Sequence, residues 1–216
     1  REYAVGMIFL PQNPNQYQLC KDVLKEELSN KGLEILGWRK VPVNSEKLGE
    51  IASKSEPKIE QIFIKKNNND SEIVFKSKLY ASRKISENRI IDSKISQSSY
   101  FYISSLSITT LIYKGILKPE DIGLYYTDLQ KPDLVTRLAL VHQRFSTNTM
   151  PSWDLAQPFR FICQNGEINT LKGNVSRMRM REEIMKNKIF GSEIDKIFPI
   201  IIPNKSDSAS MDMAIE

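Results

Sequence analysis

Short apolar segments that end in turn residues are the feature that most restricts how this chain can fold. EYAVGMIFL, residues 2–10, has the length of one buried strand, and the turn-rich PQNPN follows it directly. Residues 16–30 carry apolar side chains at helical spacing, and Gly32 follows as a stop signal. The same reasoning predicts three further elements: strands over 33–41 and 58–66, and a short helix over 46–54.

The rest of the chain continues this mixture of strands and helices. The polar stretch KKNNNDSE, 65–72, predicts a loop. SYFYISSLSITTLIYKG, 99–115, is rich in aromatic and β-branched residues and predicts paired strands. Because strands and helices do not alternate regularly, we expect an α+β fold. The remaining predicted elements are a helix over 73–90, a short helix from Pro119, strands over 133–145 and 159–163, a tight turn at Asn165-Gly166 and a helix over 169–188.

Composition excludes several kinds of function. The net charge of +5 is spread along 216 residues, which disfavours a nucleic-acid-binding module. Cys20, Cys163 and His142 are the only cysteines and the only histidine, so we expect no metal or iron–sulfur site here. No apolar run approaches the length of a membrane span.

The segment HQRFSTNTMPSW, 142–153, sets Arg144 among short hydrogen-bonding side chains that include Thr147 and Asn148. A guanidinium presents parallel donors that match a carboxylate, so Arg144 suits the α-carboxylate of an amino acid, with Thr147 and Asn148 adding contacts. An ion pair between Arg144 and a structural carboxylate remains the alternative.

A second polar cluster, QNGEIN, occupies 164–169. The side-chain amide of Asn165 and the backbone N–H of Gly166 could both point at one developing oxyanion, and glycine lets a substrate approach closely. The alternative is a plain hairpin turn, since Asn-Gly is the leading signal for a type I′ turn. We expect 142–153 and 164–169 to be two halves of one small-molecule pocket.

The third cluster is NKSDSASMD, 204–212. The carboxylate of Asp207 could receive an ammonium group and so complement Arg144. A helix N-terminus capped by Ser206, Asp207 or Ser208 is the other interpretation, and the two are compatible.

No nucleophile emerges from these clusters. Cys163 lies inside the predicted apolar strand FRFIC, and buried free cysteines are usually inert. His142 could serve Cys163 as a base, but a structural histidine is the favoured interpretation.

The run HQRFSTNTMPSWDLAQPFRFICQNGEINTLKGN resembles the glutaminase domain of glutamate synthases, which is a class II glutamine amidotransferase of the N-terminal-nucleophile type. YAVGMIFLP, LGWRKVP, IEQIFI, YFYISSLSITTLIYKG and SDSASMD match in the same order, so the resemblance spans nearly the whole chain. It implies a layered αββα N-terminal-nucleophile hydrolase fold, incomplete here, with residues 1–216 as part of a single amidotransferase domain. The nucleophile would be an N-terminal cysteine upstream of Arg1, so we expect the chain to be a fragment that is inactive alone.

The resemblance also implies roles for individual residues. Arg144 would bind the α-carboxylate of glutamine, with Thr147 and Asn148 in the same loop. Asn165 and Gly166 would form the oxyanion hole, and Asp207 would bind the α-ammonium group. The sequence departs from the family at Gln164, where relatives often have histidine, and at Cys163, in a slot that is usually small and apolar.

In the full-length enzyme the resemblance implies FMN and a 3Fe-4S cluster, with FAD as a further candidate, and no cofactor in this segment. Ammonia from glutamine would meet 2-oxoglutarate, with electrons from ferredoxin or from NAD(P)H. The frequent Ile, Lys and Asn residues favour a ferredoxin-dependent enzyme of the plastid stroma, with a bacterial cytoplasm as the alternative. Nucleic acid and membrane are not expected partners.

Two other functions remain open at this point. The chain could belong to another class II amidotransferase, although those lack the long segment before the arginine motif. It could also be a non-catalytic glutamine-binding sensor, for which the missing nucleophile is the only support.

Overall fold

A computed structural model of the chain describes residues 2–145, 149–186 and 188–216. The described residues form one four-stranded sheet in the order β2-β3-β1-β4, and every neighbouring pair is antiparallel. This antiparallel sheet with separate helices confirms the mixed α+β class, and it confirms the strands predicted over 2–10, 33–41 and 58–66. The strands are β1 (Tyr3–Leu10), β2 (Glu34–Lys40), β3 (Lys58–Lys65) and β4 (Tyr102–Ser107).

The helices follow the sequence prediction closely in the first half of the chain. The helices predicted over 16–30 and 73–90 are confirmed, and the one predicted over 169–188 is shorter than expected, ending at Glu182. The α-helices of the described ranges are α1 (Pro14–Asn30), α2 (Glu50–Lys54), α3 (Glu72–Asp92), α4 (Ile122–Tyr125), α5 (Leu171–Glu182), α6 (Ile194–Ile197) and α7 (Asp207–Ile215).

Local signals explain where the two long helices begin and end. The side chain of Asn13 accepts hydrogen bonds from the backbone N–H groups of Asn15 and Gln16, which caps α1. Gly32, just after α1, has φ of +67°, a left-handed conformation that glycine adopts without steric cost. Ser71 caps α3 by accepting from the N–H of Val74.

One face of the sheet is covered by α1 and α3. Alternate residues of a strand point to the same face, and the even-numbered residues of β1 and β3 supply this core. Burying a large apolar side chain contributes roughly 1.5–3 kcal/mol, so this cluster is the main source of stability for the sheet. Its buried members include Ala4, Ile8, Leu10, Leu24, Leu28, Ile62, Ile64, Phe75, Leu79 and Ile103.

The opposite face holds an aromatic cluster that involves Trp153, from the arginine-containing segment. The Trp153 ring meets Phe9 edge-on, with centroids 5.9 Å apart, and also contacts Tyr125 at 5.8 Å. Gly115 lies directly beneath this ring: a Cβ added there would come within 2.5 Å of it. Trp153 therefore packs the end of segment 142–153 against the face of the sheet opposite α1 and α3. Glycine at 115 leaves room for the indole ring.

The prediction of paired strands over 99–115 is wrong for its second half. β4 ends at Ser107, whose hydroxyl accepts from the N–H groups of Thr109 and Thr110 and so turns the chain. Ile112 then binds β4 through serine side chains: its N–H donates to Ser105 Oγ at 3.2 Å. Serine hydroxyls thus replace the backbone ladder that a second strand would have used.

The prediction of a strand over 133–145 is also wrong. This segment has no regular secondary structure, and most of its apolar side chains lie in solvent, with Val135 84% and Val141 80% exposed. Strand propensity is realised only when a neighbouring strand supplies backbone partners and side-chain packing. No strand of the described ranges pairs with this segment.

The predicted strand over 159–163 is replaced by a side-chain contact. The carboxylate of Asp212, in α7, accepts from the backbone N–H groups of Arg160 (3.2 Å), Phe161 (2.7 Å) and Ile162 (3.1 Å). These are the donors that a sheet ladder would have used. One buried aspartate therefore satisfies three consecutive backbone groups without a neighbouring strand.

The predicted tight turn at Asn165-Gly166 does not form either. A hairpin turn needs strands on both sides, and the described structure has none there. The N–H of Gly166 donates instead to the side-chain carbonyl of Gln164.

We expect Asp212→Ala to destabilise this domain strongly, because it leaves three backbone donors without an acceptor. Each unsatisfied buried group costs about 1–3 kcal/mol, so the free energy of unfolding should fall by roughly 3 kcal/mol or more. Asp212→Asn keeps one acceptor oxygen and should cost less. Urea unfolding of the intact protein, followed by peptide-resolved proteolysis, measures both.

The control is Glu50→Ala, which removes an exposed carboxylate paired with Lys54. It should change the free energy of unfolding little. Equal losses for Asp212→Ala and Glu50→Ala would contradict the role of Asp212.

Candidate functional site

A cavity of about 370 Å³ opens between the segment after β4 and the predicted arginine motif. It brings together Arg144 and Asn165, which are 21 residues apart in sequence. Both of these residues are exposed, so the polar end of the cavity is open to solvent. The lining also includes Lys114, Gly115, Leu117, His142, Gln143, Phe145, Ala156 and Gln157.

Arg144 is held through its backbone. Its N–H donates to Nδ1 of the half-buried His142 at 3.0 Å. No ion pair joins the Arg144 guanidinium to a carboxylate in the described ranges. Thr147 and Asn148, predicted to line the same loop, lie outside the described residues.

The loop that carries Asn165 and Gly166 is held on both sides. The N–H of Gln164 donates to Oε1 of Gln157 at 3.1 Å, and its side-chain amide donates to Ser208 Oγ at 2.5 Å. The N–H of Ile168 donates to Oδ2 of Asp207 at 2.9 Å. The start of α7 therefore holds this loop at two points.

Asp207 occupies the first turn of α7. Ser206 caps the helix by accepting from the N–H of Ala209 at 3.1 Å, which confirms the helix N-terminus predicted from sequence. Asp207 is buried, and its Oδ1 accepts from the N–H of Ser208 at 2.7 Å. It lines a second cavity, of about 390 Å³, between α5 and α7. The structure thus does not place Asp207 in the cavity of Arg144.

The two cysteines differ in environment. Cys20 is fully buried in α1, and burial raises the pKa of its thiol to about 12, which leaves essentially no thiolate at neutral pH. Cys163 is half-buried and precedes the loop of Asn165 without belonging to a strand.

Comparison with known proteins decides the family. The family model described as glutamine amidotransferases class-II matches residues 1–216, the whole chain. The chain belongs to the class-II glutamine amidotransferases. The resemblance drawn from the sequence motifs is thereby confirmed.

Three relatives show how this amidotransferase chain compares with longer proteins. It is 41% identical over 215 residues to the glutamate synthase (NADPH) large chain of Bacillus subtilis, covering 99% of the chain and 14% of that protein. It is 42% identical over 213 residues to ferredoxin-dependent glutamate synthase 1, chloroplastic/mitochondrial, of Arabidopsis thaliana, covering 99% and 13%. It is 42% identical over 224 residues to glutamate synthase (NADH) of Saccharomyces cerevisiae, covering 100% and 10%.

The chain therefore spans between 10% and 14% of the length of these relatives. Their names specify NADPH, ferredoxin and NADH, so similarity alone assigns no electron donor. In the described part of the amidotransferase chain, no helix is long and apolar enough to cross a bilayer. Nor do three or more His, Cys, Asp and Glu side chains there form a group that could hold a metal ion.

Lys114 is a residue of the amidotransferase cavity that the sequence analysis missed. It is fully buried, and its ammonium group donates to the carbonyl of Asp154 at 2.8 Å and to the hydroxyl of Tyr102 at 3.3 Å. The Asp154 carboxylate is itself paired with Lys205 at 2.5 Å. Burial and then the positive charge of Arg160 lower the pKa of Lys114 to about 7. A single lysine inside the apolar run TLIYKG was the available signal.

Arg160 is a second buried cation that contacts Tyr102, the residue whose hydroxyl accepts from Lys114. Its guanidinium donates to Glu87 Oε1 at 2.9 Å and lies 4.7 Å from the centroid of the Tyr102 ring. Burial by itself would raise the pKa of the Glu87 carboxyl, but Arg83 and Arg160 together lower it. The pair is buried on both sides, and Arg83 also pairs with Glu87 at 2.6 Å, so the Glu87 carboxylate has two cationic partners.

Lys114 should make the stability of this amidotransferase domain depend on pH. Its folded-state pKa of about 7 lies below the ordinary value of 10.5, so between these values the unfolded chain binds more protons. Stability should therefore rise as pH increases through that window. Lys114→Met should remove this contribution, because methionine does not titrate.

Urea midpoints of the intact protein and of Lys114→Met, measured from pH about 7 to about 10, test this expectation. The two curves should differ in slope, with the parent protein gaining more stability at high pH. Parallel curves would show that Lys114 is not desolvated as described.

Proposed function

We propose that this chain is part of the glutaminase of a glutamate synthase. In this proposal the intact enzyme hydrolyses glutamine to glutamate and ammonia, and the ammonia passes to 2-oxoglutarate for reductive synthesis of glutamate. The observation that carries the proposal is the shared cavity of Arg144 and Asn165 in a chain that belongs to the class-II glutamine amidotransferases. The relatives named as glutamate synthases support the choice of reaction.

Each predicted site residue has a proposed task. Arg144 binds the α-carboxylate of glutamine, because a guanidinium at the cavity with no carboxylate partner in the described ranges can pair with one from a substrate. Thr147 and Asn148 add contacts from the same loop. Asn165 and Gly166 stabilise the oxyanion, a kind of donor whose removal costs about 3 kcal/mol of transition-state stabilisation.

Asp207 binds the α-ammonium group in this proposal. Its carboxylate lies one hydrogen bond from Ile168, two residues after Gly166, which supports a position beside the same substrate. The α-carboxylate and the α-ammonium group share one carbon of glutamine, so this proposal puts that carbon between Arg144 and Asp207. The buried position of Asp207 strengthens its interaction with a cation.

The proposed nucleophile is a cysteine at a mature N-terminus that precedes residue 1. Its thiolate attacks the glutamine side-chain amide, its own α-amino group moves the proton, ammonia leaves, and water hydrolyses the glutamyl thioester. The raised pKa of the buried Cys20 thiol makes this cysteine unsuited to the role of nucleophile.

The complete domain is proposed to have the layered αββα fold, with residues 1–216 as one part of it. The sheet with α1 and α3 on one face supplies one helical layer and one sheet layer.

A diazoketone that mimics glutamine tests the function on the intact protein, with the labelled residue mapped by mass spectrometry. We expect label on a cysteine upstream of residue 1. Label on Cys163 would overturn the proposed nucleophile, and the absence of label despite glutamine binding would favour a sensor.

The same reagent tests Arg144. Arg144→Ala should slow labelling about 10- to 100-fold, because it removes a charge-assisted hydrogen bond to the carboxylate of the reagent. Arg137→Ala, an exposed arginine of the same segment, is the matched control and should label at the parent rate. Equal rates in both variants would contradict the assignment of Arg144.

We further propose the ferredoxin-dependent type in a plastid stroma, with FMN and a 3Fe-4S cluster outside this chain and FAD as a further candidate there. The support is the frequent use of Ile, Lys and Asn together with the similarity to chloroplastic relatives. The intact protein should form glutamate with reduced ferredoxin and not with NADPH or NADH. Turnover with a pyridine nucleotide alone would reverse this assignment.

A further inference from the structure

Gln164 occupies the backbone donor that the oxyanion hole would need. Its side-chain carbonyl oxygen accepts the hydrogen bond from the N–H of Gly166. Its side-chain amide nitrogen donates to Oγ of Ser208 at 2.5 Å, and its own backbone N–H donates to Gln157 at 3.1 Å. Both polar atoms of the Gln164 carboxamide, and the backbone N–H of this residue, thus have hydrogen-bond partners.

The group in this position has the chemistry of the proposed substrate. Glutamine hydrolysis starts at a side-chain carboxamide, and the carboxamide of Gln164 presents its oxygen to Gly166 as that substrate would. One N–H cannot form two well-aligned hydrogen bonds, since the interaction weakens steeply below an angle of about 120°. A substrate oxygen can therefore use Gly166 only after the Gln164 side chain has moved.

The same side chain is connected to the proposed ammonium site. The hydroxyl of Ser208, which accepts from Gln164, donates in turn to Oδ1 of Asp207 at 3.3 Å. Ser208 is buried, so water does not readily replace a lost partner. A hydrogen-bonded series consequently runs from Asp207 through Ser208 and Gln164 to Gly166.

We propose that Gln164 is a positioning residue that occupies the Gly166 N–H in the absence of substrate and is displaced when glutamine binds. Its displacement frees the N–H of Gly166 for the substrate. The same movement breaks the hydrogen bond between Gln164 and Ser208, which lies beside Asp207. The cost of this displacement weakens the affinity for glutamine. This inference rests on the proposed glutaminase function.

Two substitutions of similar size separate this role from a structural one. Gln164→Met has no acceptor for Gly166, so the KM for glutamine should fall about 2- to 10-fold, the equivalent of one typical hydrogen bond, with kcat nearly unchanged. Gln164→Glu supplies an ionised acceptor that holds the N–H more strongly, so KM should rise about 10-fold or more. Gln130→Met, whose side chain is remote and donates to Gly123, is the matched control.

The intact protein is assayed for glutamine hydrolysis, and hydrogen exchange at Gly166 is followed in parallel. Exchange should be faster in Gln164→Met and slower in Gln164→Glu than in the parent protein. These opposite shifts are what a merely structural role would not produce, because general loosening would lower kcat in both variants.

The outcomes distinguish the two proposals. If the parent protein hydrolyses glutamine but all variants share its KM, or if both variants shift KM in the same direction, the role of Gln164 is overturned and the function stands. If the parent protein does not hydrolyse glutamine, the proposed function is overturned and the inference about substrate displacement falls with it.

Discussion

The carboxylate of Asp212 determines where the chain can present its second polar cluster. By accepting from three consecutive N–H groups, it fixes the backbone at 160–162 against α7. The loop that carries Asn165 and Gly166 begins at Gln164, two residues after Ile162, so its position follows from this contact. The start of α7 then holds the same loop through Asp207 and Ser208. One short helix therefore organises the whole polar end of the site.

Three charged side chains are buried in the region between β4 and α7. Glu87 and Arg160 form an ion pair that is almost completely shielded from water, and Lys114 lies nearby with only neutral hydrogen-bond partners. Such groups stay charged only when their geometry compensates for lost hydration. The pKa of Lys114 is lowered because its hydrogen bonds do not fully replace the hydration that the ammonium group loses on burial. The region between β4 and α7 is thus held by directional polar contacts, whereas α1 and α3 are held on the sheet by apolar packing.

Sequence reasoning succeeded where a pattern was local. β1, β3, α1 and α3 each carry their own apolar periodicity and their own caps, so their type and approximate bounds could be predicted. It failed over 108–115, 133–145 and 159–163, where the residues have strand propensity but no strand partner in the described structure. The hydroxyls of Ser104 and Ser105 and the carboxylate of Asp212 took over the backbone groups in two of these segments. Long-range side-chain partners of this kind leave no periodic signal.

The sequence by itself determined the family, the polar clusters around Arg144, Asn165 and Asp207, and the cap of α7 at Ser206, because ordered motifs and capping residues are local properties. Only the tertiary structure decided that Arg144 and Asn165 share a cavity while Asp207 lines a second one. It also decided that the Gln164 side chain accepts the hydrogen bond of the Gly166 N–H and that a buried Lys114 lines the cavity of Arg144 and Asn165. The physical reason is that hydrogen-bond partners and desolvation depend on which distant segments meet in space, and residue order does not specify this without the fold.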